Sequence, residues 1–319
     1  VELRRFLGIL TAAVVIILTA VVWFMPSGED FRADNPSWNG TREISSLPGA
    51  LPVLSLSDLP PSPGGSLAGL SPSPTGATLI LIPYLDFTPA ELEALDSFVT
   101  GGGTLVLADD YGHGNQVLEY LGLEARFSGQ ALLDPLACYK NKWFPRVSRI
   151  IPSPLTDDTG ELVLNHATCL VEVETIDVLA LSSTFSFLDL NGNESSDEGE
   201  PAGPLPVISR HDLGSGEVVL IADPSIFINS MDTFGSNATL VQNIAAITTS
   251  GLLIDQSHLP PSSLHHVKGL LAGVRGSLIT PAGAVGLVIA ALAITLVPVW
   301  YKKGDRNGHR KEGETADTE

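Results

Sequence analysis

The chain has 319 residues, is 44% hydrophobic and 17% charged, and carries a formal net charge of −19 at pH 7. Ten of its 17 Lys+Arg but thirty of its 36 Asp+Glu lie between residues 26 and 277. That stretch therefore repels nucleic acid and anionic lipid headgroups and suits cations, or solubility in a salty medium.

Residues 1–5 carry Arg4 and Arg5, and an almost unbroken apolar run follows over 6–25. About 20 apolar residues are enough to cross a bilayer core. A second apolar run covers 278–301, and the tail over 302–319 opens with Lys302 and Lys303. Basic flanks stay cytoplasmic. The sequence thus predicts two transmembrane helices, both termini cytoplasmic, and an extracytoplasmic region between them. The end of the first run, Val21 to Pro26, lacks the small residues of a signal-peptide cleavage site, which favours an uncleaved signal anchor.

Residues 26–77 read as an irregular entry segment with a short strand near Leu51–Leu56. An α/β domain is expected over 78–254. Thr78 to Pro83 is a continuous apolar run, the mark of a strand buried on both faces. Thr88-Pro89-Ala90-Glu91 then opens a helix, with Thr as cap and Pro in its first turn. Gly101-Gly102-Gly103 stops it, and Thr104 to Ala108 is a second buried strand. A strand, helix and strand within about 30 residues predict a parallel pair joined by a right-handed crossover.

A helix follows over Asn115–Leu121, and residues 123–160 show no clear periodicity. Strands are expected at Leu162–Leu164, Val171–Val173 and Val178–Ser186. A hairpin is expected between Leu205–Arg210 and Glu217–Ala222, and a helix over Asn237–Thr249. Residues 255–277 read as a linker.

Two constellations carry chemistry. Asp109, Asp110, Tyr111, His113 and Asn115 follow a buried strand and are interleaved with Gly112 and Gly114. Ligands of open α/β sheets bind beyond the carboxyl ends of the strands, so these five are the candidate ligand-binding residues. An Asp with His113 could hold a metal or act as an acid–base pair; a structural turn that caps the next helix is the plainer reading. The loop 189–200 places oxygen-bearing side chains at positions 1, 3, 5, 7, 9 and 12: Asp189, Asn191, Asn193, Ser195, Asp197 and Glu200. That is the EF-hand calcium spacing, departing from it with Glu194 where a glycine normally turns the chain. A structural Ca2+ site and a solvated acidic loop are both open.

Five of the cations, Arg126, Lys140, Lys142, Arg146 and Arg149, fall together with Tyr139, Trp143 and Phe144. They read either as a partner site or as pairing with the many acids. Asn39, Asn193 and Asn237 open three N-glycosylation triplets. The two cysteines, Cys138 and Cys169, fit no metal spacing, and a disulfide and two free thiols are both open. No nucleophile elbow, phosphate-binding loop or HExxH zinc motif is present, so no catalytic residue is expected.

Asn35-Pro-x-Trp38-Asn39-Gly40, Phe98-Val99-x-Gly101-Gly102 and Leu105 to Asp110 occur in that order. Tyr111-Gly112-x-Gly114-Asn115, Phe127-Ser128, Asp134-Pro135 and Gly214-x-Gly216-x-Val218-Val219 follow. Over roughly residues 31 to 250 the chain resembles a family of uncharacterised prokaryotic membrane-anchored proteins, commonest in archaea. The resemblance implies a class I glutamine amidotransferase-like domain, a flavodoxin-like sandwich around a parallel sheet. It also implies protein partners: a transporter, or a membrane complex with a MoxR-type ATPase. The amidotransferase nucleophile is missing, because Asp109-Asp110 stand at the comparable turn. The expectation is a non-catalytic extracytoplasmic binding or assembly module. The alternative is a metal- or carboxylate-dependent hydrolase of envelope material.

Overall fold

The computed structural model describes residues 2–25, 27–60, 73–260, 263–280 and 285. It divides into two compact units, residues 26–260 and, separately, 1–25 with 261–319.

In the smaller unit, α1 (Glu2–Phe24) is one continuous helix. Its stretch Phe6–Phe24 is long and apolar enough to cross a membrane, with none of it buried within the protein. That composition suits a membrane anchor or a signal sequence. The expected second span lies outside the described residues apart from 278–280 and 285. The expected linker is instead helical from Ser263, in the helix Ser263–Ile279, whose Arg275 guanidinium rests on the Trp23 ring 5.8 Å away.

The larger unit begins with a single helical turn, α2 (Arg42–Ser45), and β1 (Ala50–Val53). The unit predicted most clearly follows: β2 (Ala77–Leu81), α3 (Pro89–Thr100) and β3 (Thr104–Ala108). Both strands are apolar on both faces, and every residue of β2 is buried. A full capping box starts α3: the Thr88 N–H donates to Glu91 Oε2 at 2.8 Å, and the Glu91 N–H returns to Thr88 Oγ1 at 3.4 Å. Leu92, Leu95, Phe98 and Val99 form its buried stripe, at the spacing of one helix face. A side chain at Gly103 would strike the Phe98 ring, which explains the tight return into β3.

Next come α4 (Asn115–Tyr120), β4 (Arg126–Phe127), β5 (Ala131–Leu133), β6 (Arg146–Val147), β7 (Arg149–Ile150), β8 (Leu162–Val163) and β9 (Leu170–Val171). They are followed by β10 (Val178–Leu181), β11 (Phe187–Asp189), β12 (Pro206–Leu213) and β13 (Gly216–Ile221). The unit ends with α5 (Asn237–Ile247) and β14 (Gly251–Asp255), and the helix Ser263–Ile279 of the smaller unit is α6. The strand expected over Val178–Ser186 stops at Leu181. There Ser182 and Ser186 bond each other through their hydroxyls at 2.7 Å, an alternative to the strand ladder.

Eight strands make one sheet in the order β1-β14-β2-β3-β13-β12-β10-β7. The first five are mutually parallel, and the last three pair antiparallel. The predicted hairpin is β12–β13, closed through Gly214 and Ser215 with Gly214 at φ +63°. The last strand of this unit, β14, inserts between β1 and β2. The carboxyl ends of β14, β2, β3 and β13 therefore lie side by side, at Asp255, Leu81, Ala108 and Ile221.

Candidate functional site

At the carboxyl end of β3 the chain makes a tight loop whose centre is Asp109, 2% exposed. One carboxylate oxygen accepts the N–H groups of Tyr111 and Gly112 at 2.9 and 3.1 Å. The other accepts that of Gly114 at 2.6 Å. Gly114 sits 3.2 Å, measured from an added Cβ, from that same oxygen and from the Phe127 ring, so a side chain there would press on both. Asn115 is engaged at both ends of its amide: Oδ1 accepts from Phe127 N at 2.8 Å, and Nδ2 donates to Phe127 O at 2.9 Å. Two of the five expected ligand residues thus hold the loop together.

The other three face outward to differing degrees. Asp110 is half-buried, and Tyr111 and His113 are exposed. Burial, reinforced by the neighbouring Asp109 charge, pushes the Asp110 carboxyl up to about 7. Tyr84, just beyond β2, brings a third ring. The centroids of Tyr84, Tyr111 and His113 are 6.2, 6.3 and 6.4 Å apart, an almost equilateral triangle. Burial and the Asp110 charge both push the Tyr84 phenol up.

Further groups gather at this edge. Asp223, after β13, is buried and accepts the N–H groups of Asn165 and Ser225 at 2.7 and 2.8 Å. Burial pushes its carboxyl up to about 7, with Asp110 adding to the shift. After β14, buried His258 lies 3.3 Å from Asp255 and 3.8 Å from Glu91, and stacks on Phe87 at 4.2 Å. Its carbonyl accepts the Tyr84 N–H at 2.9 Å, joining the two loops. Residues 27–41 strap across here. Buried Arg32 donates to the carbonyls of Gln256 and Pro260 at 2.9 and 2.7 Å, and Asn229 holds the Ser37 carbonyl at 2.7 Å.

Sequence reasoning placed Asp109 to Asn115 at this edge but missed Tyr84, Asp223, Asp255, His258 and Arg32. Tyr84 and Asp223 each lie just after a predicted strand, so the carboxyl-end rule could have found them. Nothing local marks Arg32 or His258, whose partners are far away in the chain.

The 189–200 loop is a separate feature. Asp189 accepts the N–H groups of Gly192 and Glu194 at 2.8 and 2.9 Å. Asn191 and Asn193 both donate to Asp197 Oδ2, at 2.8 and 2.6 Å. The two oxygens of Glu200 accept from Leu190 and Asp197 at 2.9 and 3.0 Å. Ser195 donates its backbone N–H to Asn193 Oδ1 at 2.8 Å. Glu194 adopts φ +61°, the left-handed conformation that glycine usually supplies at this loop position. Among the described residues no group of three or more His, Cys, Asp or Glu is placed to hold a metal. A cation here would draw its oxygens from amide, hydroxyl and backbone groups as well as carboxylates.

The basic stretch divides its contacts. Lys142 pairs with Glu194 at 3.0 Å and Arg146 with Glu161 at 3.7 Å, while Lys140 sits 5.1 Å from the Tyr139 ring centre. Both cysteines are free thiols, and burial pushes Cys169 up to about 12, far from the range of a reactive thiolate. Of the three glycosylation triplets, Asn237 is fully buried and donates its amide to Val163 and Met231 carbonyls at 2.9 and 3.2 Å. Asn193 is exposed.

A family model described as "Domain of unknown function (DUF4350)" matches residues 33–245. No curated protein matches the chain. Among solved structures, the mmIFT52 N-terminal domain is similar at 17% identity, over 54% of this chain and 77% of that one, with a TM-score of 0.41. A β-galactosidase from Bacillus circulans sp. alkalophilus matches at 16% identity over 53% of this chain, with a TM-score of 0.33. An α-L-fucosidase isoenzyme 2 from Paenibacillus thiaminolyticus matches at 14% identity over 54% of this chain, with a TM-score of 0.28. The matched parts are 23% and 24% of those two enzymes.

Proposed function

We propose, on the premise that this chain belongs to the DUF4350 family of domains of unknown function, that it is a non-catalytic binding or assembly module carried on a membrane anchor. The observation that carries this reading is the use of Asp109 and Asn115. Three backbone N–H groups occupy both oxygens of Asp109, and Phe127 occupies both ends of the Asn115 amide. Both side chains are turned onto the backbone of their own loop and serve to shape it. What remains at the carboxyl edge is a surface of Asp110, Tyr111 and His113 backed by Tyr84. Such a surface holds a partner.

The finer features belong to the same proposal. The basic residues flanking both apolar runs support two spans with both termini cytoplasmic and the larger unit outside. The parallel strands, and the absence of a cysteine where an amidotransferase would carry its nucleophile, support a non-catalytic amidotransferase-like domain. The partner would be a transporter or a MoxR-type ATPase-associated complex. In the 189–200 loop, Asp189, Asn191, Asn193, Ser195, Asp197 and Glu200 would hold a structural Ca2+, with Glu194 supplying the turn. On adding Ca2+ to the full-length protein we expect a higher Tm, and no rise in a Glu200→Gln variant. An unchanged Tm in both would reduce the loop to a hydrogen-bonded turn.

A second reading, a carboxylate-dependent hydrolase, draws on one observation: the Asp110 carboxyl lies near 7, where general acids and bases work best. Affinity purification of the full-length protein from native membranes in mild detergent separates the two. A defined set of membrane partners, lost in Tyr111→Ala/His113→Ala, is the expected result. A protein that emerges alone in both forms, and cleaves envelope polymers in a way that depends on Asp110, would favour the hydrolase.

A further inference from the structure

The three rings at the carboxyl edge narrow what this surface can recognise. Sugars and nucleobases stack on a flat aromatic face. Here the interplanar angles are 58° for Tyr84–Tyr111, 57° for Tyr111–His113 and 35° for Tyr84–His113. No two rings form a common plane, so a flat ligand could lie on only one of them at a time. A compact group capping the triangle lies within reach of all three rings at once. The charges around it decide the sign of that group. Asp30, Asp109 and Asp110 all act on Tyr84, and the chain as a whole carries −19. An anionic or phosphorylated ligand is repelled, whereas a cation gains from the ring faces and from the carboxylates. Elsewhere the protein makes such contacts internally, with Lys140 and Arg146 on Tyr139. Arg32, the basic residue of the nearby strap, is buried and committed to two carbonyls.

We infer that Tyr84, Tyr111 and His113, with Asp110, form a receptor for a cationic side chain, a lysine ammonium or an arginine guanidinium presented by a basic segment of a partner protein. This rests on the binding-module reading and names the chemistry of its partner. Recognition is local: one cation seats on the rings, while the acidic surface draws the rest of the segment in. Tyr111 is the informative position, because it is 66% exposed and its truncation changes no charge.

The test is fluorescence anisotropy of a labelled Gly-Lys-Gly-Arg-Gly peptide against the full-length protein in detergent, at fixed moderate salt. The comparisons are a peptide with acetylated lysine and citrulline for arginine, and tetramethylammonium as a small competitor. The expected result is saturable binding of the charged peptide, weakened about tenfold by Tyr111→Ala, weakened likewise by Asp110→Asn, and absent for the uncharged peptide. Equal binding of the uncharged peptide, or Tyr111→Ala binding as wild type does, would overturn the inference. So would tetramethylammonium binding without any peptide binding, which would point to a small amine. If membrane partners are still lost in Tyr111→Ala/His113→Ala while the charged peptide fails to bind, the inference falls and the binding module stands. If partners are present but unaffected by that variant, the inference falls and the module binds through another surface; if the protein emerges alone in both forms, both fall.

Discussion

Asp109 and Asp110 are neighbours with opposite duties. Asp109 organises a loop, and replacing it with Ala leaves three N–H groups of that loop without their acceptor, the one of Gly114 in a buried position. The expected cost is about 2–4 kcal/mol, read as a lower Tm of the full-length protein. Asp110 has only its own backbone N–H as a hydrogen-bonding influence and is penalised by burial when charged. Its folded pKa, about 7, lies above the carboxylate value of 3.8, so between those pH values the folded state holds more protons than the unfolded. Stability from this group is therefore fully present below pH 3.8 and is lost as pH rises through 7. Asp110→Asn removes the dependence: the variant should be the more stable at pH 8, with the difference shrinking toward pH 5. Thermal melts of both proteins across that range check it, and a constant difference would mean that Asp110 is solvated.

The loop owes its position to the elements on either side. β3 delivers Asp109 to the sheet edge, and the Asn115 amide fastens the start of α4 to Phe127 in β4. Asn115→Ala leaves the Phe127 N–H and carbonyl unpaired and is expected to cost about 1–3 kcal/mol. The same change should quicken hydrogen exchange at Phe127 and Tyr111 and leave α3 unaffected. At the same edge, Thr88→Ala breaks the capping box of α3 at a cost of about 0.5–2 kcal/mol. Its exchange signature should be confined to the first turn of α3. If both variants loosen the whole sheet instead, the edge loop and α3 are one cooperative unit.

The larger unit closes late in the chain. β14 pairs with β1 on one side and β2 on the other, so the sheet has a gap until residues 251–255 arrive. The family match ends at residue 245, and a fragment cut there is expected not to fold, whereas one extended through Pro260 should. Circular dichroism and urea melts of the two fragments decide this; a cooperative melt for the shorter one would show that β1 and β2 can pair directly. The same topology explains what could be read in advance. The β2–α3–β3 unit, the β12–β13 hairpin and the loop from Asp109 to Asn115 were legible, because continuous apolar runs, a capping box and glycine turns are signals between near neighbours. β14 was overlooked, since a five-residue apolar run next to a linker resembles many other segments. The three-ring cluster was overlooked too, since Tyr84 and His113 meet only after β2 and β3 pair. The sequence by itself determined the apolar N-terminal helix, the α/β class and the acidic character, all consequences of composition and short-range periodicity. Only the tertiary structure decided that Asp109 and Asn115 are scaffold and that Tyr84 joins the surface, because the direction in which a side chain turns and the rings it meets depend on how the elements pack.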